Sequence, residues 1–462
     1  MPRDEIQSLG HPEGIEKSFA NFLEMQLHRR PHLDSREREE IPYSLLASPV
    51  TRKMLRNGLT VLVKEVYPAS VVCISLWVHV GSCHEDDREA GISHFVEHML
   101  FKGTPTRPPG RIAQEVHSLG GYINGFTAYE CTCYWIVLPS RYFKTALEIQ
   151  ADASKHTLFD EGEIAKESQV IIEEIRMYED RPEMFCFEKL MAAAFKEHRY
   201  RRPVAGLESA VASLSRDDLV NYYRSHYVPN NMACVVVGDI DTKRAFNAVK
   251  DAFEDMAPLN VPENPSPPEP PQCEAREEHY RGDIGSSHLN IGFHVGGIFE
   301  EDTYALDLLA SILGEGRSSR LHQGLREKLA LVNTIGASIL AERDLGLFIV
   351  EATMEEKKTE ATIDELWKQI AMVCREGVTG HELAKAKNMV ESSYVFSQET
   401  VEGLCKKLGY YEMLGDYTLA DRYVQKLYAV SRDDIKRVAE RYLVKENSSC
   451  VLYAPQVKGA LQ

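Results

Sequence analysis

The two halves of this 462-residue sequence repeat each other, and this repeat restricts the possible folds more than any other feature. The segment SRDDLVNYYRSHYVPNNMACVVV, from Ser215, aligns without gaps with SRDDIKRVAERYLVKENSSCVLY, from Ser431, so that Cys234 falls on Cys450. A second set of pairs occurs earlier in each half at a slightly shorter offset: Arg111 with Arg320, Gln114 with Gln323, and Asn124 with Asn333. A duplicated domain explains these alignments better than chance does.

A proline-rich stretch separates the two halves. Residues 257–273, APLNVPENPSPPEPPQC, hold seven of the 21 prolines. Because proline fixes φ and lacks an amide donor, this stretch is predicted to be an extended, semi-rigid linker. We therefore predict a polar N-terminal extension over residues 1–50, a first domain over residues 51–256, and a homologous second domain over residues 274–462.

Strand patterns and helix patterns alternate along the first half. Short apolar runs bounded by turn residues predict strands, and amphipathic spacing predicts helices. The predicted strands are 59–66 and 71–80, with a long strand or hairpin at 121–138; the predicted helices are 89–101, 111–119, 142–156 and 163–178, with a short helix at 14–27 in the extension. The fold class is thus α+β: two homologous α/β-sandwich domains, each a mixed or antiparallel sheet flanked by helices.

The composition excludes some classes of partner. A net charge of −17 argues against nucleic acid, which needs a basic surface, and against anionic membranes. No apolar run is long enough to span a bilayer, and the N-terminal residues have neither the apolar segment of a secretory signal nor the composition of a transit peptide. The ten cysteines are scattered without a CxxC pair, which favours free thiols and a cytoplasmic location.

The pentapeptide His94-Phe95-Val96-Glu97-His98 carries the strongest chemical signal. Residues four apart lie on one face of a helix, so both imidazoles can bind one metal ion, with the carboxylate of Glu97 beside them. The order H-x-x-E-H is that of the inverted zincins, in which zinc activates water and the glutamate takes its proton. The alternative from the pentapeptide alone is a helix with two half-buried histidines, each hydrogen-bonded to a neighbour.

A catalytic zinc ion needs a third protein ligand. The helical stretch from Glu161 to Asp180 contains Glu167 and Glu174, which are seven residues apart and share a face, whereas Glu173 points about 100° away. A solvated acidic helix is the usual meaning of such a charge pattern. Periodicity therefore identifies candidates in this helix without choosing Glu174.

Four segments resemble the pitrilysin or insulinase-like metallopeptidases, most closely the half-length, processing-peptidase-like members. They are GISHFVEHMLFKGT at 91–104, GGYINGFTAYE at 120–130, ESQVIIEEIRMYED at 167–180 and RSSRLHQGLREKLALVN at 317–333. The resemblance implies one Zn²⁺ per chain, held by His94, His98 and Glu174, with 75 residues between the last two. It also implies that Glu97 is the catalytic base and that Glu167 supports a ligand histidine by a hydrogen bond.

The resemblance also suggests substrate-binding residues. GGYINGFTAYE matches the family's edge strand, to which peptides add by backbone pairing, and Asn124 matches its substrate-contacting asparagine. From sequence alone, Asn124 is about as well explained as a turn residue before Gly125. Arg326 matches a substrate-binding arginine of the second half, but Asn333 stands where the family commonly has a tyrosine.

The resemblance implies a zinc-dependent endopeptidase that hydrolyses peptides or small proteins inside a closed dimeric chamber. The broken Arg326–Asn333 pair leaves a heterodimer open, in which a homologous subunit supplies an intact pair for peptide maturation. A non-catalytic core or assembly subunit of the same fold is the remaining alternative. In the repeat, the motif residues fall on Thr303, Leu306 and Asp307, so the second half is predicted to bind no zinc there.

Overall fold

A computed structural model describes residues 49–456. The helix expected at residues 14–27, and almost all of the predicted N-terminal extension, lie outside the described residues. The described part contains two sheets, one built from each half of the sequence.

The first half contributes a six-stranded sheet. Its strands are β1 (Thr51–Met54), β2 (Thr60–Glu65), β3 (Val71–Val78), β4 (Tyr122–Thr127), β5 (Thr132–Pro139) and β6 (Met232–Gly238). Their order across the sheet is β1-β2-β6-β3-β5-β4, and only the β2–β6 pair is parallel. The long strand or hairpin predicted at 121–138 is a hairpin, and its first strand, β4, lies at the edge of the sheet.

Eight helices accompany this sheet among the described residues. They are α1 (Ile92–Leu100), α2 (Arg111–Ser118), α3 (Phe143–His156), α4 (Glu161–Asp180), α5 (Pro182–Ala194), α6 (Glu208–Ser213), α7 (Arg216–His226) and α8 (Thr242–Phe253). Apolar residues from α1, α3, α4 and α8 pack on one face of the sheet and form the main core of this half.

The second half contributes a five-stranded sheet. Its strands are β7 (Arg276–Gly282), β8 (Ser287–Gly296), β9 (Thr334–Ala341), β10 (Leu345–Met354) and β11 (Ser448–Pro455), in the order β7-β11-β8-β10-β9. Only the β7–β11 pair is parallel. The helices are α9 (Asp302–Gly314), α10 (Thr359–Glu376), α11 (Gly380–Phe396), α12 (Val401–Leu414), α13 (Leu419–Ala429) and α14 (Arg432–Tyr442), with a π-helical segment at His322–Lys328.

The sequence repeat corresponds to a repeated topology. Strands β2-β6-β3-β5-β4 of the first sheet and β7-β11-β8-β10-β9 of the second follow the same order with the same parallel pair. The two SRDD segments begin equivalent helices: Ser215 and Ser431 each form a capping box with the aspartate three residues later. Each capping box satisfies two helix-terminal donors, which explains why both copies start at this serine. The predicted fold class is confirmed.

Each half lends one helix to the other. Helix α12 of the second half covers the face of the first sheet opposite its main core, where Leu404, Cys405 and Leu408 contact β3 and β6. Helix α5 of the first half packs in turn on β8 and β11, through residues such as Leu190. Neither sheet therefore buries both faces with helices from its own half.

Candidate metal and active site

Helix α1 holds the H-x-x-E-H residues in the interior. The helix is preceded by Gly91 with a φ of 100°, a left-handed conformation that favours glycine. The carboxylate of Glu85 accepts hydrogen bonds from the backbone N–H groups of Gly91 and Ser93, both at 2.8 Å, and so satisfies two helix-terminal donors. All nine residues of α1 are buried, including His94, Glu97 and His98. The predicted start at residue 89 was three residues early because this turn precedes the helix.

Helix α4 brings a glutamate to both imidazoles. Oε2 of Glu174 lies 3.8 Å from Nε2 of His94 and 3.7 Å from Nε2 of His98. One donor atom from each of these residues lies within 4.8 Å of the other two. The neighbouring Glu173 is 69% exposed and forms an ion pair with Arg176, so it points away from the imidazoles.

This donor set fits a zinc ion. Two imidazole nitrogens and one carboxylate oxygen are the ligands of one common class of catalytic zinc site. Nε2 of His98 is buried and has no hydrogen-bond partner among residues 49–456, although buried polar atoms are normally paired. A cation between Nε2 of His98 and Oε2 of Glu174 would supply that missing partner.

Glu167 fixes the orientation of His98. Nδ1 of His98 donates to Oε2 of Glu167 at 3.0 Å, which directs Nε2 toward Glu174. Lys102 contacts the other oxygen of Glu167 at 2.5 Å. Burial is the largest single effect and opposes ionisation of both partners, but their hydrogen bond and the neighbouring opposite charges together outweigh it: the pKa of His98 is raised and the pKa of Glu167 is lowered.

His94 has a different environment. Burial lowers its pKa to about 4, so the imidazole is neutral at neutral pH and can act as a metal ligand. Its Nδ1 atom is buried without a hydrogen-bond partner in the described part of the chain. The orientation of His94 therefore depends on packing within α1, whereas that of His98 depends on a carboxylate.

Glu97 faces the edge strand β4. Its Oε2 atom accepts a hydrogen bond from Oγ1 of Thr127 at 2.8 Å. Burial raises the pKa of Glu97 to about 7, which suits a group that must both accept and release a proton near neutral pH. The hydroxyl of Thr127 leaves Oε1 of the carboxylate directed along β4 toward Gly125.

Three residues of this site were missed by the sequence analysis. Thr127 contacts Glu97, Lys102 contacts Glu167, and the hydroxyl of Tyr178 donates to Oε1 of Glu174 at 2.6 Å. The bond from Tyr178 occupies one oxygen of Glu174 and leaves Oε2 for the imidazoles. A helical signal was present for two of them, because Lys102 follows His98 and Tyr178 follows Glu174 by four residues, one helical turn.

Gly125 provides the space for the Glu97 carboxylate. A Cβ atom at Gly125 would lie 3.0 Å from Oε1 of Glu97 and 3.2 Å from the carbonyl oxygen of Cys133. We expect Gly125→Ala to displace the carboxylate and reduce peptide cleavage about tenfold to 100-fold, because small misplacements of a catalytic group are costly. Zinc content should not change, since the three atoms nearest to the added Cβ belong to Glu97 and Cys133 and to none of the predicted ligands.

Gly380→Ala is the matched control for this substitution. A Cβ atom at Gly380 meets nothing within 4 Å. Rates with a fluorogenic peptide and zinc content, measured for both variants, check the expectation. Wild-type activity in Gly125→Ala would contradict the assigned contact with Glu97.

A small cavity of about 50 Å³ opens beside the histidines. Its walls include His94, Glu97 and Glu174, together with apolar side chains of β4 and α5: Phe126, Met184, Phe187 and Met191. All of its lining residues belong to the first half. The lining also includes Glu188 and Arg202, so the space next to the carboxylates is mostly, but not entirely, apolar.

The predicted substrate-binding residues occupy three different settings. Asn124 lies within β4 opposite Trp135, not in a turn, and its Oδ1 atom accepts a hydrogen bond from the N–H of Gly125 at 2.9 Å. Arg326 is exposed on the π-helical segment and contacts Nε2 of His322 at 3.2 Å. Asn333 is exposed just before β9. Neither Arg326 nor Asn333 lines the cavity beside the histidines.

The equivalent helix of the second half has no such donor set. Thr303, Leu306 and Asp307 lie on α9, and the hydroxyl of Tyr423 donates to the half-buried Asp307. Burial raises the pKa of Asp307 to about 7. Within residues 49–456, neither of the two groups of three or more potential metal ligands includes any of these α9 residues.

Two similar α+β halves, with a buried H-x-x-E-H helix and a distant glutamate in the first half only, define a two-domain zinc-metallopeptidase architecture. The insulinase (peptidase family M16) domain matches residues 60–208, and the inactive domain of peptidase M16 matches residues 213–390. The chain belongs to the insulinase, or M16, peptidase family.

Relatives named as zinc proteases extend over most of the sequence. An uncharacterized zinc protease of Rickettsia felis is 31% identical over 407 residues, covering 88% of this chain and 98% of the relative. An uncharacterized zinc protease of Bacillus subtilis is 29% identical with the same coverage. The crystal structure of a protease from Helicobacter pylori matches with a TM-score of 0.84 at 26% identity, covering 88% of this chain and 100% of that one. These similarities support the assignment of this chain as a peptidase.

None of the described helices has both the length and the apolar character needed to span a membrane.

Proposed function

We propose that this chain is a zinc-dependent endopeptidase that hydrolyses peptides or small proteins. The observation that carries the proposal is the convergence of His94, His98 and Glu174, from two helices, on one point beside the buried carboxylate of Glu97. The names of the relatives, which are zinc proteases, support peptide-bond hydrolysis as the reaction, and the donor set supports zinc as the metal.

The proposed chemistry divides between the metal and one carboxylate. Bound zinc supplies a Lewis acid that polarises the scissile carbonyl and lowers the pKa of water. Glu97 accepts the proton of the attacking water at Oε1, while Thr127 holds Oε2, and then delivers a proton to the leaving amine. Glu167 keeps His98 oriented, and Tyr178 keeps Glu174 oriented.

The substrate is proposed to lie extended along β4. This strand is at the edge of its sheet, and Gly125 in the strand approaches Glu97. Peptides bind such edges by adding a strand, so that backbone pairing supplies affinity and pockets select side chains. The apolar walls around Phe126, Phe187 and Met191 favour an apolar side chain next to the scissile bond.

Metal removal and restoration test this function. The purified chain should cleave an unstructured peptide, lose cleavage on chelation, and regain it with stoichiometric zinc. A chain that binds no zinc and cleaves nothing, alone or with a homologous subunit, would instead be a non-catalytic core or assembly subunit.

A heterodimer is the second candidate, because Asn333 stands at the family's tyrosine position and neither Arg326 nor Asn333 lines the cavity. In the first proposal the chain closes a chamber with a second copy of itself; in the second, a homologous subunit supplies the missing pair. Cleavage by the chain alone is compared with cleavage by the chain plus a homologue encoded beside it. Equal rates exclude the requirement for that partner.

Arg326→Ala separates these proposals further. We expect a KM raised about tenfold or more with unchanged zinc content if Arg326 binds substrate, since a charged hydrogen bond contributes about 1.5–3 kcal/mol. Lys328→Ala, two residues away on the same segment, is the control. A wild-type KM and kcat in Arg326→Ala would remove Arg326 from the substrate site.

The cytoplasmic location is also part of the proposal. It rests on the ten cysteines, all of which are unpaired thiols. Cell fractionation with an antibody against the chain tests it.

A further inference from the structure

A second group of potential metal ligands lies at the end of β3. His79, His84 and Glu130 each place one donor atom within 4.8 Å of the other two. Sγ of Cys83 lies 3.3 Å from Nδ1 of His84 and 3.5 Å from Oε2 of Glu130. We call His79, Cys83, His84 and Glu130 the β3-end cluster; none of its members is a predicted ligand of the catalytic zinc.

The spacing of the β3-end cluster suits zinc. With zinc–nitrogen and zinc–oxygen bonds near 2.0–2.1 Å and zinc–sulfur bonds near 2.3 Å, neighbouring ligands of a tetrahedral ion lie about 3.3–3.6 Å apart. The distances from Sγ of Cys83 to Nδ1 of His84 and to Oε2 of Glu130 fall in this range. At the catalytic site the corresponding nitrogen–oxygen distances are 3.7 and 3.8 Å, slightly wider. The donor atoms of His79, His84 and Glu130 thus lie within the same 4.8 Å of one another as those of His94, His98 and Glu174, with Cys83 in contact with two of the three.

The chemistry of the cluster also favours a cation. Glu130 is only 3% exposed; Tyr200 donates to its Oε1 atom, and within residues 49–456 the donor that reaches Oε2 is the weak thiol of Cys83 at 3.5 Å. A divalent ion would neutralise the carboxylate and deprotonate the thiol.

Two hydrogen-bond donors must move away from the imidazoles before an ion can bind. Nη1 of Arg343 lies 3.2 Å from Nε2 of His79, and the N–H of Gly81 donates to Nδ1 of His84 at 3.2 Å. The Arg343 side chain is exposed and can turn toward solvent. The bond from Gly81 is long for an N–H donor and is weaker than a zinc–nitrogen bond. A second arginine, Arg199, directs its guanidinium at the carbonyl oxygens of Cys83 and Asn264.

We infer that His79, Cys83, His84 and Glu130 form a second zinc site, structural in role and separate from the catalytic ion. The segment that carries three of these ligands leads directly into Glu85, whose carboxylate holds the N-terminus of α1. The same segment is contacted by the linker, where Asn264 donates to the carbonyl oxygen of His84 and Ser266 to that of Cys83. An ion here would fasten β3, the β4–β5 turn and the linker around the base of the H-x-x-E-H helix.

Zinc counting in a set of variants tests this site. The full chain is purified, dialysed against buffer with micromolar zinc and then against metal-free buffer, and analysed by mass spectrometry. We expect two zinc ions in the wild type, one in His98→Ala, one in His84→Ala and none in the double variant, because the two sites share no ligand. His117→Ala, an exposed histidine on α2, should retain both ions. A wild type whose zinc is entirely lost in His98→Ala would overturn the inference, whether or not the catalytic proposal survives.

Cobalt spectroscopy tests the thiolate. Cobalt-loaded His98→Ala should show a near-ultraviolet sulfur-to-cobalt charge-transfer band, since only the β3-end cluster then remains to bind the ion. The band should disappear when Cys83→Ser is added and persist when Cys186→Ser is added. If Cys83→Ser fails to fold, His79→Ala is added to His98→Ala in its place, and the band should again disappear. Absence of any such band in cobalt-loaded His98→Ala would contradict the tetrad.

Discussion

Glu97→Gln should lower the rate of peptide cleavage by about 10²–10⁴-fold while zinc content stays at the wild-type value. Glutamine has nearly the shape of glutamate and its amide oxygen can still accept the hydrogen bond from Thr127. It cannot accept the proton that the attacking water must lose. Cleavage of a fluorogenic peptide and metal analysis of the same preparation check both parts of the expectation.

The outcomes for Glu97→Gln distinguish two roles of the carboxylate. Loss of zinc would mean that Glu97 holds the metal, so that the division of roles between Glu97 and Glu174 would be wrong. Full activity with zinc present would mean that another group accepts the proton. Glu89→Gln, which alters a glutamate just before α1, serves as the control and should cleave at the wild-type rate.

Trp77→Ala should destabilise the protein by about 3–5 kcal/mol, the usual cost of deleting a buried tryptophan. Trp77 is 0% exposed on β3, and its Nε1 atom donates to Oγ of Ser75 at 2.7 Å. It lies under α12, where a Cβ atom at Gly409 would come within 2.0 Å of Nε1. The substitution therefore opens a cavity at the buried interface between the second half and the first sheet. The midpoint of urea unfolding is the measurement.

Phe396→Ala is the control for Trp77→Ala. Phe396 is 54% exposed at the end of α11, so its removal should change the unfolding midpoint little. If Trp77→Ala and Phe396→Ala unfold at the same urea concentration, α12 does not close over the first sheet as described.

The fold was predictable because the repeat and the local patterns agree. The two SRDD segments predict equivalent helices, and both begin at a serine that forms a capping box. Apolar runs located β2 and β3, which end at Glu65 and Val78, within two residues of the predicted ends. The exchange of α5 and α12 between the halves was not predictable, because periodicity shows that a helix has an apolar face but not which sheet that face covers.

The candidate site was predictable in part. Helical spacing joins His94, Glu97 and His98 on one face, but it could not distinguish Glu173 from Glu174, since both lie on an acidic helix. The structure separates them: Glu173 pairs with Arg176 at the surface, and Glu174 faces the imidazoles. The contact of Thr127 with Glu97 joins residues 30 positions apart and depends on where β4 meets α1, which no local pattern contains.

Adjacent substitutions at Glu173 and Glu174 test the central claim most directly. Zinc content and peptide cleavage are measured for Glu174→Gln and Glu173→Gln, prepared in parallel with the wild type. Glu174→Gln should bind one zinc ion fewer than the wild type and lose cleavage, while Glu173→Gln should match the wild type in both. Wild-type zinc and cleavage in Glu174→Gln, or their loss in Glu173→Gln, would contradict a zinc centre built from His94, His98 and Glu174.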